Sequence, residues 1–146
     1  MNRRPFLAAI AVLPILGACA VATPSGPVGT DKVVYHINDT EQQATDALRN
    51  IGNHLEVNPK AKIVVVTHAR GVDFLFNDAK DKNGNPYNAR VEQLKAQGVQ
   101  FDVCQITLRN RKIDKQKFTP EATFVPSGVA EITRLQQREG FAYLRP

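Results

Sequence analysis

Lys62-Ile-Val-Val-Val-Thr-His68, "KIVVVTH", is apolar throughout its middle. A strand with one wet face alternates apolar and polar residues. An unbroken apolar run of this length suits a central strand of a parallel sheet, covered by helices on both faces. The stretch therefore predicts an α/β domain, and the sequence on either side supports it.

Upstream, "KVVYHI" (Lys32 to Ile37) reads as a first strand. Asn38-Asp39-Thr40 supplies N-cap candidates for a helix that carries Ala44, Leu48, Ile51 and Leu55 on one face, and Asn58-Pro59 stops it. Downstream, a short segment from Val72 to Phe76 leads into "NDAKDKNGNPYN", where Asn-Gly and Asn-Pro mark a surface loop with a solvated charged tip. A second helix carries Tyr87, Val91 and Leu94 and closes at Gly98, a C′ glycine. "VQFDVC" (Val99 to Cys104) is a third strand, with "QITLRNRK" a short helix directly after it. "TFV" (Thr123 to Val125) is a fourth. Pro126-Ser127-Gly128 opens a last helix with Val129, Ile132 and Leu135 inward. Gly140 ends that helix, and "FAYL" (Phe141 to Leu144) is a fifth strand at a sheet edge. Strands alternating with helices at this spacing mean βαβ units. The expected fold is a single three-layer α/β/α domain with a mostly parallel sheet of about five strands, flavodoxin-like in general style. No internal repeat or second domain is visible.

The N-terminal stretch "MNRRPFLAAIAVLPILGACAVATPSGP" differs in kind from the rest. Arg3 and Arg4 precede an apolar core from Phe6 to Leu16, followed by small residues. That is the layout of an export signal, and the core is too short for a membrane span. "NRRPFL" also resembles the twin-arginine motif, and the ordinary secretory route stays open beside it. Leu16-Gly-Ala-Cys19 resembles a lipobox, which would make Cys19 a lipidated first residue and tether the domain to a membrane. Cleavage after Ala20-Val21-Ala22 is the alternative. The expected organisation is an export signal over 1–22, a flexible Pro/Gly/Ser-rich tether over 23–31 and the α/β domain over 32–146.

Either processing leaves Cys104 as the domain's one thiol, because the sequence has two cysteines. No intramolecular disulfide can then form. Such a leftover cysteine in an exported chain suggests a reactive thiol or intermolecular pairing; the plainer alternative is a small buried hydrophobe. Losing Arg3 and Arg4 lowers the formal charge from +5 by two. Mild basicity, with no Trp and no aromatics interleaved among Lys and Arg, argues against nucleic-acid binding.

In an open parallel sheet the carboxyl ends of the strands form the ligand crevice. Here they carry Asn38 and Asp39, His68 and Arg70, Cys104, then Ser127 and Gly128. Val99, Phe101 and Val103 alternate with Gln100, Asp102 and Cys104, so the thiol leaves its strand on the more polar face. A thiol at a helix start meets the positive end of the macrodipole and unpaired N–H groups. Cys104 is therefore expected at the crevice mouth, with a pKa below the free value of roughly 8.5.

Asn38, His68, Arg70 and Ser127 are the candidates for lining a substrate or anion site. His68 either caps its strand or exchanges a proton near the thiol. Arg70 binds an oxyanion or faces water, and Ser127 caps a helix or helps bind an anion there. Arg109, Arg111 and Lys112 read as a solvated basic face, with added positive potential at the thiol as the alternative, and His36 and His54 as structural or exposed. "HINDTEQQ" lacks glycine, which excludes a Rossmann dinucleotide site, and no spacing suggests a metal site. No cofactor is expected.

"GVQFDVCQITLRNRKID" with "FVPSGVAEITRLQQREGFAYLRP" resembles the DsrE/DsrF-like family, particularly exported members. "KVVYHIND" and "IVVVTHARGVDFL" match that family's first two strands and following loops, so the resemblance spans Lys32 to Pro146. Relatives commonly have Gly after the second-strand histidine, where this chain has Ala69. The resemblance implies a flavodoxin-like domain forming homo-oligomers, often trimers or hexamers. It also implies that the family cysteine, matched by Cys104, carries sulfur as a persulfide, as in sulfur-relay members. Those members are cytoplasmic and work with partner subunits, whereas this chain is expected in the cell envelope.

The resulting expectation is a periplasmic thiol protein, lipid-anchored if Cys19 is acylated, that accepts or passes on sulfane sulfur through Cys104, with donor and acceptor unidentified. Its rivals are a non-catalytic small-anion-binding module and a structural oligomer with Cys104 buried at an interface.

Overall fold

The computed structural model describes residues 30–146. The expected leader, Cys19 and most of the tether lie outside them. Five parallel strands, β1 (Lys32–Asp39), β2 (Lys62–Arg70), β3 (Gln100–Cys104), β4 (Ala122–Val125) and β5 (Ala142–Leu144), form one sheet in the order β4-β3-β2-β1-β5. The helices are α1 (Thr45–Val57), α2 (Asn88–Ala96), α3 (Gln105–Arg111) and α4 (Gly128–Glu139).

That strand order dictates the layers. The chain steps β1 to β2 to β3 to β4 in one direction, and right-handed crossovers then place every intervening helix on the same face. The last connection runs back across the whole sheet to β5, so the same handedness sends α4 to the opposite face. Two separate cores follow. The larger packs Tyr35, Ile37, Val65, Phe101 and Val103 against Leu48, Ile51, Leu94 and Leu108 from the first three helices. The smaller joins Val34, Val64 and Val66 to Ile132 and Leu135 of α4 and to Phe141. Alternate residues of β2 enter different cores, which is why "KIVVVTH" is apolar on both faces.

The local signals of the sequence hold. Asp39 accepts from Gln42 N and starts a π-type turn, Thr40–Ala44, that runs into α1. Gly98 and Gly140 have φ of 94° and 72°, the left-handed backbone that glycine adopts without strain. In the surface loop, Asp81 accepts from the backbone N–H groups of Asn83 and Asn85.

Two expectations about apolar side chains fail. Val129 is 58% exposed rather than inward. The inward row of α4 is Gly128, Ile132 and Leu135, all buried, and Val129 is turned about 100° from Gly128. Phe141, expected on the edge strand, precedes β5 and is buried in the smaller core. Tyr143 and Leu144 do lie exposed on the edge strand β5.

Candidate functional site

The parity of three adjacent strands builds the site. His36, His68 and Cys104 lie near the carboxyl ends of β1, β2 and β3, all on the face that α4 covers. α4 starts above them. A methyl at Gly128 would come 3.3 Å from Cys104 Cβ, 3.3 Å from His68 Cβ and 3.2 Å from Thr67 O. Absence of a side chain lets the first turn of α4 descend onto the thiol.

Cys104 is the N-cap residue of α3; its side chain makes no capping hydrogen bond of normal geometry, but N–H groups at the starts of both α3 and α4 are close enough to act on its titration. Burial alone pushes its pKa up. The Gly128 N–H, the Thr107 N–H and hydroxyl, and the Ile106 N–H outweigh that burial and hold the thiol below its ordinary value. The direction matches the sequence reading, but the basic residues do not supply it. Arg111 donates to Asp73 and to the Ala69 carbonyl, while Arg109 and Lys112 face solvent. The thiol is also less open than a crevice mouth suggests: Cys104 is 5% exposed.

The end of β2 completes the cradle. Ala69 has φ of 50°, and its N–H donates to Thr107 Oγ1 at 3.0 Å. That backbone region favours glycine, so alanine here carries strain.

Beside the thiol runs a chain of hydrogen-bonding side chains. Tyr143 Oη lies 2.6 Å from His36 Nδ1, and His36 Nε2 lies 2.7 Å from His68 Nε2. The imidazoles meet edge to edge, with centroids 4.8 Å apart and planes inclined by 28°. Burial, then His68 and Arg145, push His36 down to about 4; burial and Arg145 also lower His68. Both rings are neutral at pH 7, so one Nε2 donates to the other.

The remaining candidates serve other ends. Asn38 Oδ1 accepts from Arg145 at 3.2 Å, in a polar cleft it shares with Asp39, Gln42, Gln43 and Pro146. Gln43 secures that cleft, accepting from the backbone of Asn38 and Asp39 and donating to the Pro146 carbonyl. Arg70 pairs with Asp39 and Glu41, and Ser127 caps α4 by accepting from Ala130 N. Neither is brought to the thiol as a free anion ligand; at α4 it is the Gly128 N–H that reaches the sulfur.

Two residues escape the sequence reading. His36 reads there as structural or exposed, although strand parity puts it on the same face as Val34. Asp102, two residues before Cys104, is fully buried: Oδ1 accepts from Gln100 at 2.8 Å, and Oδ2 has no partner among the described residues. Burial raises its pKa to about 6. Among the described residues, no three His, Cys, Asp or Glu side chains converge as metal ligands.

Comparison with known proteins places this geometry. Protein MTH1491 from Methanobacterium thermoautotrophicum, described as of unknown function, is similar with a TM-score of 0.70 and 33% identity, covering 80% of this chain and 99% of its own. The ychN protein of E. coli shares the fold, with a TM-score of 0.66 and 16% identity over 80% of this chain and 99% of its own. No curated protein matches the chain. The model of the DsrE/DsrF-like family matches residues 31–146, the whole α/β domain with its cysteine cradle, and the chain belongs to that family.

Proposed function

We propose that the protein is a sulfane-sulfur carrier of the cell envelope, with Cys104 as the atom that is loaded. The observation that carries the reading is the N–H and hydroxyl cradle on Cys104, which favours the thiolate inside a nearly covered site. A thiolate is the form that attacks sulfur. It loads by attack on a persulfide or polysulfide. It unloads when an acceptor thiolate attacks the outer sulfur, so a single cysteine suffices. The tight cover selects for small donors.

The envelope location rests on the sequence of residues 1–22, and a lipid anchor on Cys19 belongs to the same proposal. So does a closed homo-oligomer, trimer or hexamer, which would cover the exposed Tyr143 and Leu144 of the edge strand. Light scattering should report a mass several times that of one chain; a monomer at micromolar concentration removes the oligomer from the reading.

Intact mass after incubation with inorganic polysulfide tests the carrier. The expected result is addition of one sulfur to the wild-type protein and none to Cys104→Ser. The burial of Cys104 favours the second reading, a structural cysteine. A thiol that resists both polysulfide and iodoacetamide in the folded protein decides for that reading.

A further inference from the structure

We infer that Arg145, with Asn38, is a carboxylate-binding subsite for the sulfur donor, so that the preferred donor is the persulfide of a small thiol carrying a carboxylate. The inference rests on the carrier reading and adds the substrate class.

Arg145 follows β5 directly, and its guanidinium donates to Asn38 Oδ1 at 3.2 Å. Among the described residues it has no carboxylate partner. Arg70, by contrast, pairs with Asp39 and Glu41, and Arg111 with Asp73. One hydrogen bond leaves most of the guanidinium N–H donors free, and Asn38 Nδ2 has no partner among the described residues either. The arginine lies exposed at the polar cleft. Asp39, the carboxylate in that cleft, is engaged by Arg70 and by the Gln42 N–H. A planar fork steadied by an amide oxygen matches an incoming carboxylate. With Asp39 so near, a monoanionic carboxylate is favoured over a dianionic phosphate.

The subsite faces the thiol across the strand ends. The registers Ile37↔Thr67 and Thr67↔Val103 set Asn38, His68 and Cys104 at one level of β1, β2 and β3. Asn38 is therefore two strand spacings from Cys104, about 10 Å. His68 fills the interval, its Cβ beside that of Cys104. The charge of Arg145 lowers the pKa of both His68 and His36, so it acts across this rim. Imidazoles kept neutral leave the guanidinium as the cation that an arriving anion meets beside them.

That span selects the donor. Thiosulfate is too short to touch Arg145 while it offers sulfur to Cys104. A persulfide built on a cysteine or a short peptide carries its carboxylate several bonds from the outer sulfur. Its tail lies along the strand ends, and only the sulfur passes the cover over Cys104. The Cys104 thiolate attacks the outer sulfur of R–S–SH. The bond between the donor's two sulfurs breaks with its electron pair on R–S⁻, Cys104–S–SH forms, and the outer sulfur keeps its proton. No net oxidation occurs. Arg145 stays away from the reacting sulfur and holds the donor's other end, which makes the attack effectively unimolecular.

Two donors that differ only in their carboxylates test the subsite: glutathione persulfide and the persulfide of glutathione diethyl ester. Loading is read by intact mass at one pH, in the wild-type protein and in Arg145→Gln. Within each protein the ratio of the two rates is independent of how acidic the thiol is. The wild type should prefer the free acid, and Arg145→Gln should lower that preference about tenfold, the worth of one charge-assisted hydrogen bond. The ester should load both proteins alike, which shows the variant folded and its thiol intact. A variant with the wild-type ratio overturns the subsite and leaves the carrier standing. A wild-type protein that neither donor loads overturns both.

Discussion

Gly128 brings its backbone N–H close to Cys104 from the first turn of α4, and the contact exists because Gly128 has no Cβ. Gly128→Ala places a methyl 3.2–3.3 Å from Thr67 O, Cys104 Cβ and His68 Cβ, so α4 must lift by a few tenths of an ångström. The variant should lose about 1–3 kcal/mol in urea denaturation, the usual range for overpacking. Its thiol pKa should rise, and alkylation rate against pH reads that. An unchanged profile would mean the Gly128 N–H does not hold the thiolate.

Thr107 serves the thiol twice, through its N–H and its hydroxyl, and also accepts from Ala69 N. Thr107→Val keeps the shape and the N–H but deletes the hydroxyl. Alkylation at pH 7 should slow as the thiol pKa climbs, with stability down by about 1 kcal/mol for the lost hydrogen bonding.

Ala69 carries a backbone strain that glycine would not. Ala69→Gly, at φ of 50°, should stabilise the protein by up to about 1 kcal/mol and raise its Tm. Calorimetry checks it. A fall in Tm would show that the left-handed conformation costs this alanine nothing.

Asp102 makes stability depend on pH. Its folded pKa, raised to about 6 by burial, lies above the carboxylate's ordinary value, so the folded state binds the extra proton. The contribution is present in full below about pH 4 and is lost as pH rises through about 6. Asp102→Asn, neutral throughout, should gain up to about 3 kcal/mol at pH 8, the free energy of the gap between the folded and ordinary pKa values, and gain little at pH 4. Tm against pH for both proteins is the measurement; parallel curves would refute the assignment.

Much of this molecule is written locally. The apolar run of β2, the caps at Asp39 and Ser127, and the glycines at 98 and 140 each depend on residues a few positions apart, so the sequence alone determined the parallel α/β architecture and the helix start at Cys104. Tertiary structure decided the rest. Strand order is a long-range property: only the return of the chain to β5 beside β1 sends α4 across the second face, turns Gly128 inward and Val129 outward, and buries the thiol. The same return brings Tyr143 to His36 across 107 positions of sequence, while β1–β2 pairing brings His36 to His68 across 32. No local pattern encodes those meetings, because each depends on which edges the sheet leaves for its last strand to join.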